Sequence, residues 1–470
     1  MPVNRKTFFI SVFLFLLVGG FPDGKASSSE NEKTGHWKAG VAQVKITPEQ
    51  SMWMAGYAAR EHPSEGKIHD LWAKALVLQD TEGNTGVLIT TDLLGFPKDL
   101  SDNIRNRLNE KYNLSRAQII LNSSHTHSGP VLEGSLYDIY PLNSSQLEKI
   151  ERYSDYLTDK IVELVGKAIN SLQPAQVYAE NGVTRFQVNR RNNEASTLAR
   201  QRDLNGPNDY SVPVIKVEDA GGDMMAVAFG YACHPTVLDG YQWSGDYPGF
   251  AQKVLEEDHQ GTVALFFQGA GADQNPLPRR SEALALQYGR ELAAAVDRVL
   301  EEDMRRLSSS LSMAYSEVEL SLNDPPSARD LEQMTEETSG YQKRWAERML
   351  GKVRRGESFR SSYPYPFQVW QLGDQPLVSL GGEVVVDYAI RLKRIFGQEL
   401  FVLGYSNDVM AYIPTVQILR EGGYEGLTSQ IVYGLPGAWE ADIETKIIKG
   451  VLELAARAGI SLPEEELTGQ

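Results

Sequence analysis

The chain has 470 residues, with 46 Lys plus Arg against 62 Asp plus Glu, 41% hydrophobic residues and one cysteine. Its ordinary apolar content and 23% charged residues exclude a wholly disordered or collagen-like chain. A net charge of −16 argues against a nucleic-acid partner, and Cys233 alone excludes both an intramolecular disulfide framework and a zinc site of several thiolates.

Arg5 and Lys6 precede an almost unbroken apolar run from Phe8 to Phe21. As a helix this run rises about 21 Å, short of the roughly 30 Å hydrocarbon core of a bilayer. With a small-residue exit near Ala26, residues 1–26 read as a secretory signal peptide. The expectation is a secreted or periplasmic protein with no stable membrane span after signal removal, residues 27–470 forming one catalytic domain.

Further along, Ala75–Asp80 and Val87–Asp92 read as strands joined across Glu82-Gly83-Asn84. Pro97–Tyr112 reads as a helix opened by its proline, with Leu100, Ile104 and Leu108 on one face. Gln118–Asn122 is a strand, and Ser145–Leu172 a long helix closed near Pro174. Val212–Glu218, Ala226–Cys233, Thr262–Gln268, Leu377–Leu380 and Leu400–Leu403 are further strands. Phe250–Asp258, Ser281–Asp303, Ala328–Leu350, Val384–Phe396 and Trp439–Ala458 are helices. This alternation predicts an α/β fold, a single large domain around a mixed β-sheet with flanking helices. The active site is expected at strand C-terminal ends.

Two such ends carry histidine. Ile119–Leu121 runs into Asn122-Ser123-Ser124-His125-Thr126-His127-Ser128-Gly129-Pro130, and Met225–Ala232 ends at Cys233-His234-Pro235. An H-x-H pair on extended backbone points both rings to one side. Imidazole is the commonest zinc ligand, but a histidine at a strand end is also a common hydrogen-bonded structural residue, and spacing alone leaves both readings open. Alternation puts Cys233 on the face opposite His234, where a buried small hydrophobe is expected rather than a nucleophile. The Gly269–Pro276 turn lacks the Lys-Ser/Thr of a P-loop.

Taken together, several segments resemble the catalytic N-terminal domain of the neutral, non-lysosomal ceramidases. They are Ala39-Gly40-Val41-Ala42, Lys45-Ile46-Thr47-Pro48, Met54-Ala55-Gly56-Tyr57, Ile68–Ala75, Thr91-Asp92, His125–Pro130 and His234-Pro235-Thr236. Gly382-Glu383, Ala411–Thr415 and Gly423-Tyr424-Glu425-Gly426 complete the set. The resemblance implies a Zn2+ site at His125, His234, Glu383 and Tyr412. It implies contacts from His127 and Tyr424 to the tetrahedral centre of an acyl transfer, and an active-site role for Arg190. The implied activity is hydrolysis of the N-acyl amide bond of ceramide or a related lipid through a metal-activated water. Asn275 stands where the family carries a serine before proline, so a serine nucleophile is not expected, although the amide can still hydrogen-bond substrate. The family's C-terminal immunoglobulin-like domain is expected to be absent. Three alternatives stay open: a zinc hydrolase of the same fold acting on another amide, ester or lactone, a non-catalytic binding protein, and a thiol hydrolase using Cys233. Oligomeric state is not legible.

Overall fold

A computed structural model describes residues 36–461, so the expected signal segment 1–26 lies outside the described residues. Trp37–Lys45 pairs antiparallel with Trp72–Gln79, which turns back into Thr85–Thr91. Asp80 holds that turn, its carboxylate accepting the backbone N–H groups of Glu82 and Asn84. The main sheet has nine strands, and its ordered path runs Val263–Gln268, Met224–Tyr231, Ser211–Asp219, Gln173–Val183, Trp37–Lys45, Trp72–Gln79, Thr85–Thr91, Ile119–Ser123. Only the outermost pair at each end of the path is parallel.

Alternation along each strand separates two layers. Ala73, Ala75, Val77, Val87 and Ile89 face the helices Lys98–Tyr112 and Ser144–Asn170. At the other end of the sheet, Val227, Phe229, Ala264 and Phe266 pack against the helices Asp246–Asp258 and Glu282–Leu300. Leu76, Leu78, Ala228, Leu265 and Phe267 point the opposite way, into a core shared with Leu311, Trp370, Leu377 and Leu403 of a second, four-stranded sheet. That sheet is ordered Leu311–Ser321, Ser362–Leu372, Gln375–Leu380, Phe401–Leu403.

The two free edges of the main sheet meet at one side chain. Asn122 accepts from Gln268 N at 2.8 Å and donates to Gly404 O at 2.8 Å and to Ser406 Oγ at 3.0 Å. One buried amide thus stitches the ends of Ile119–Ser123, Val263–Gln268 and Phe401–Leu403 together. The expected α/β class, mixed sheet and flanking helices are all present.

The single helix expected over Ala328–Leu350 is two, Ala328–Glu337 and Gly340–Arg354. Thr338-Ser339 is extended and Gly340 has φ +60°, so the backbone breaks at a Thr-Ser-Gly sequence that favours caps over helix interior. The last helix starts at Ile443, not Trp439. Trp439 is buried ahead of it, with its indole N–H donating to Tyr412 O at 2.8 Å. Among the described residues no helix is long and apolar enough to cross a membrane.

Asp408, after Phe401–Leu403, is 3% exposed and accepts the Tyr363 hydroxyl at 2.7 Å. Burial pushes its carboxyl up to about 7, against the lowering effects of the Tyr363 hydrogen bond and Lys98, while Asp102 and Glu317 add to the rise. The folded chain therefore binds this proton more tightly than the unfolded chain. The associated stability is complete below about pH 4 and lost as pH rises through about 7. Asp408→Asn keeps an acceptor for Tyr363 without the charge. Its melting temperature should exceed that of the parent at pH 8, by the equivalent of a few kcal/mol at most, because a tenfold difference in proton affinity is worth about 1.4 kcal/mol. The advantage should shrink as pH falls from about 7 and vanish by about pH 4. Thermal melts across that range measure it.

Candidate metal centre

Three strand ends and the short strand Tyr412–Ile413 deliver the predicted ligands to one point. After Ile119–Ser123 the chain bends at His125, whose φ of +64° places a non-glycine residue in the left-handed region. Two bonds hold it there: His125 N donates to Leu93 O at 2.9 Å, and its Nδ1 to Leu94 O at 2.6 Å. His234 follows Met224–Tyr231, with its N on Gln274 O at 2.8 Å and its Nδ1 on Gly271 O at 2.9 Å. Glu383 follows Gln375–Leu380 across Gly381-Gly382 and sits in a short parallel pairing directly opposite Tyr412. Gly382 has φ +72°, and a Cβ there would lie 2.6 Å from an Ile413 methylene, so the turn requires glycine.

A carbonyl oxygen only accepts, so both Nδ1 atoms carry hydrogen and both Nε2 atoms present bare lone pairs. These converge on Glu383 Oε2, His125 Nε2 at 3.2 Å and His234 Nε2 at 3.1 Å. Glu383 Oε2 has no hydrogen-bond donor, while Oε1 takes the Tyr433 hydroxyl at 2.5 Å. Tyr412 Oη lies 3.4 Å from His234 Nε2. Burial lowers His234 to about 4 and keeps His127 well below its ordinary value, so both of these rings are neutral at pH 7. Three inward-facing acceptors in a buried space need a cation between them. Neutral imidazoles, a carboxylate and Nδ1 anchoring to carbonyls together make a donor set and outer shell that could hold a metal ion.

His127 belongs to the same cluster: its ring nitrogen lies within 4.8 Å of those of His125 and His234. Its Nε2 is 3.3 Å from His125 Nε2. Because the latter is bare, His127 carries its hydrogen on Nε2, and Nδ1 is left buried without a partner. Tyr57 packs on this ring, with centroids 4.7 Å apart, and Arg60 donates to His127 O at 2.7 Å. Gly56 has φ +107°, and a Cβ there would lie 2.5 Å from His127 Cγ. Gly56→Ala should therefore cost about 1–3 kcal/mol of stability and displace His127. We expect a lower melting temperature and a reduced kcat with bound metal unchanged, measured by melting, steady-state kinetics and metal analysis.

Arg190 donates to Glu425 Oε1 at 2.7 Å and to Tyr412 Oη at 3.2 Å. Its guanidinium is 5.6 Å from both the Tyr412 and Tyr424 ring centroids. A cavity of about 160 Å³ opens over the cluster. His125, His127, Glu383, Tyr412 and Tyr424 line it, with Leu94, Leu136, Ile139 and Val432 as apolar wall. Asn275 stands apart: it pairs across from Val188, and its amide oxygen has Thr236 Oγ1 at 3.5 Å. Among the described residues no side-chain bond links it to the four converging groups. Cys233 is buried, and burial raises its thiol well above the ordinary value.

Sequence reasoning does not single out Tyr433, Tyr405 or Glu425. Glu425 stands inside the Gly423–Gly426 segment, and its ion pairs with Arg190 and Arg191 supply the reason. The buried Tyr405 ring lies 4.4 Å from that of His125. Neither it nor Tyr433 carries a sequence signal.

The family model described as neutral/alkaline non-lysosomal ceramidase, N-terminal, matches residues 37–276. Neutral ceramidase A of Dictyostelium discoideum is 28% identical over 279 residues, 56% of this chain and 38% of that protein. Neutral ceramidase 1 of Arabidopsis thaliana is 26% identical over 287 residues, 59% of this chain and 35% of that protein. The matched region thus spans less than two fifths of these curated relatives. The crystal structure of neutral ceramidase from Pseudomonas aeruginosa superposes with a TM-score of 0.70 at 20% identity, covering 91% of this chain and 76% of that one. At that identity the likeness is one of fold.

Proposed function

From the premise that this chain belongs to the neutral/alkaline non-lysosomal ceramidase family, we propose that it is a zinc-dependent hydrolase of N-acyl amide bonds, with ceramide or a related N-acyl lipid as substrate. The observation that carries the reading is the convergence of two Nδ1-anchored imidazoles on Glu383 Oε2. His125, His234, Glu383 and Tyr412 would hold the ion. Zinc held there supplies Lewis acidity and acidifies water, which makes amide hydrolysis accessible near neutral pH.

The remaining chemistry belongs to the chain. His127 lines the cavity, and with His125 Nε2 taken up in holding the ion its Nε2–H would be free to donate to the oxygen of a carbonyl becoming tetrahedral. Arg190 orients the Tyr412 hydroxyl; burial and Glu383 push the pKa of that phenol up, and the arginine charge opposes them. The exposed Tyr424 stands at the rim. Asn275 is assigned a hydrogen-bonding role toward substrate from its place two residues beyond Asp273, whose carbonyl accepts from Arg190 N at 2.8 Å. No acyl-enzyme through residue 275 is part of this scheme.

A second reading keeps the centre and shortens the substrate. A cavity of about 160 Å³ is below the roughly 300–1,000 Å³ of typical ligand sites. It encloses the reacting end of a molecule, as a small amide or ester requires, whereas a long acyl chain must lie across the apolar rim. Zinc-loaded protein assayed on a fluorescent N-acylsphingosine beside short N-acyl amides and esters separates the two. Turnover of the lipid supports the first reading, and turnover of short substrates alone supports the second. Export through residues 1–26 belongs to the same proposal, and N-terminal sequencing of the released protein checks it.

A further inference from the structure

A second cavity, far larger than the one over the metal cluster, lies beside it. It measures about 630 Å³, and Leu136 and Tyr433 line both. We propose that it binds an organic phosphate or sulfate ester that also carries a hydroxyl or amine donor.

The charge on its wall is uneven. Lys98, Arg348, Lys352 and Arg360 line it. Two are already committed, Arg348 to Asp138 at 2.6 Å and Lys98 to Asp102 and Glu317 at 3.1 and 3.3 Å. Lys352 and Arg360 have no carboxylate within ion-pairing distance among the described residues. Arg360 is held over the Tyr363 ring, 4.9 Å from its centroid, which fixes a guanidinium beside the opening. Two uncommitted cations next to one cavity suit an oxyanion, and a planar guanidinium suits a tetrahedral one best. Asp99, in the first turn of the helix Lys98–Tyr112, also lines the cavity and offsets part of this positive charge, so Lys352 and Arg360 carry the anion preference.

The donor requirement comes from Asp408. One carboxylate oxygen takes the Tyr363 hydroxyl, and the other is buried on the same wall with no partner. In the ionised form of Asp408 this buried acceptor is left open, which is unfavourable, and a ligand hydroxyl or amine would satisfy it. Met349, Phe359, Val409 and Leu435 form the apolar remainder, and the volume falls in the range of organic ligands rather than of a bare inorganic ion. The ligand is therefore amphiphilic, anionic at one end and donating near it. The site stands independently of the metal reading.

Titration calorimetry on the full chain with O-phosphoethanolamine and with inorganic phosphate tests the site. Saturable binding of O-phosphoethanolamine is expected. It should weaken at least about tenfold in the K352Q/R360Q double variant, whose substitutions lie outside the core and should leave the melting temperature unchanged. D408N should weaken O-phosphoethanolamine relative to inorganic phosphate, whose binding the loss of the carboxylate charge should not weaken. Absence of saturable binding, or binding unchanged in K352Q/R360Q, overturns the site. Equal weakening of both ligands by D408N overturns the donor assignment. Vesicles of phosphatidylcholine with phosphatidylethanolamine separate the sources. Sedimentation of the protein with them, lost in K352Q/R360Q, assigns the site to a lipid headgroup, and binding of the free ester alone assigns it to a soluble one.

Discussion

Glu383→Gln is expected to abolish metal binding and hydrolysis together while raising the melting temperature of the metal-free protein. In the parent, Glu383 Oε2 faces two bare imidazole nitrogens at 3.1 and 3.2 Å, an arrangement stable only with positive charge between them. A glutamine amide turns two of those repulsions into hydrogen bonds, because its NH2 group donates once to His125 and once to His234. Its oxygen still accepts from Tyr433. The ligand set is thereby neutralised and satisfied without an ion. Hydrolysis should fall by at least about 10³-fold, and adding His234→Ala should cost little more, since the groups act as one unit. Metal analysis, kinetics and melts with and without chelator check this. A variant that keeps a full equivalent of metal would remove Glu383 from the ligand set.

His127→Ala is expected to leave metal in place and lower kcat by roughly 10²–10³-fold. His127 competes geometrically for a ligand role, since its ring nitrogen lies within 4.8 Å of those of His125 and His234. Its anchoring argues otherwise. His125 and His234 each fix their tautomer through Nδ1 on a carbonyl, whereas His127 Nδ1 meets no partner and its ring is held by Tyr57 and Gly56 instead. A ring held by packing and carrying hydrogen on Nε2 is suited to donate toward substrate. Metal content measured beside kcat decides the matter: loss of both would move His127 into the coordination set.

Much of the architecture and of the centre is legible in the amino-acid order alone. Alternation and short apolar runs place most strands of the main sheet, and the motif residues place His125, His234, Glu383 and Tyr412 in one site. The H-x-H inference reaches the right outcome by the wrong route. His125 and His127 approach one centre because His125 takes a left-handed turn, not because the segment is extended. Leu311–Ser321 and Ser362–Leu372 escape detection. The first has a half-exposed face without clean alternation, and the second contains Pro364 and Pro366, which normally demote a strand. Both prolines fall where the strand pairs on one side only, since the Gln375–Leu380 pairing begins at Phe367. The Tyr433 contact and the larger cavity join residues from distant parts of the chain, beyond the reach of local pattern.

The Asn122 amide ties together backbone from three regions of the chain, reaching as far as Ser406. Emerging from the ribosome, His125 and His234 therefore wait for well over a hundred further residues before Glu383 and Tyr412 can complete their surroundings. An ion can be held firmly only after Tyr412 has been made and docked, so its uptake would report on the completeness of folding of this region and would disfavour chains cut between His125 and Tyr412.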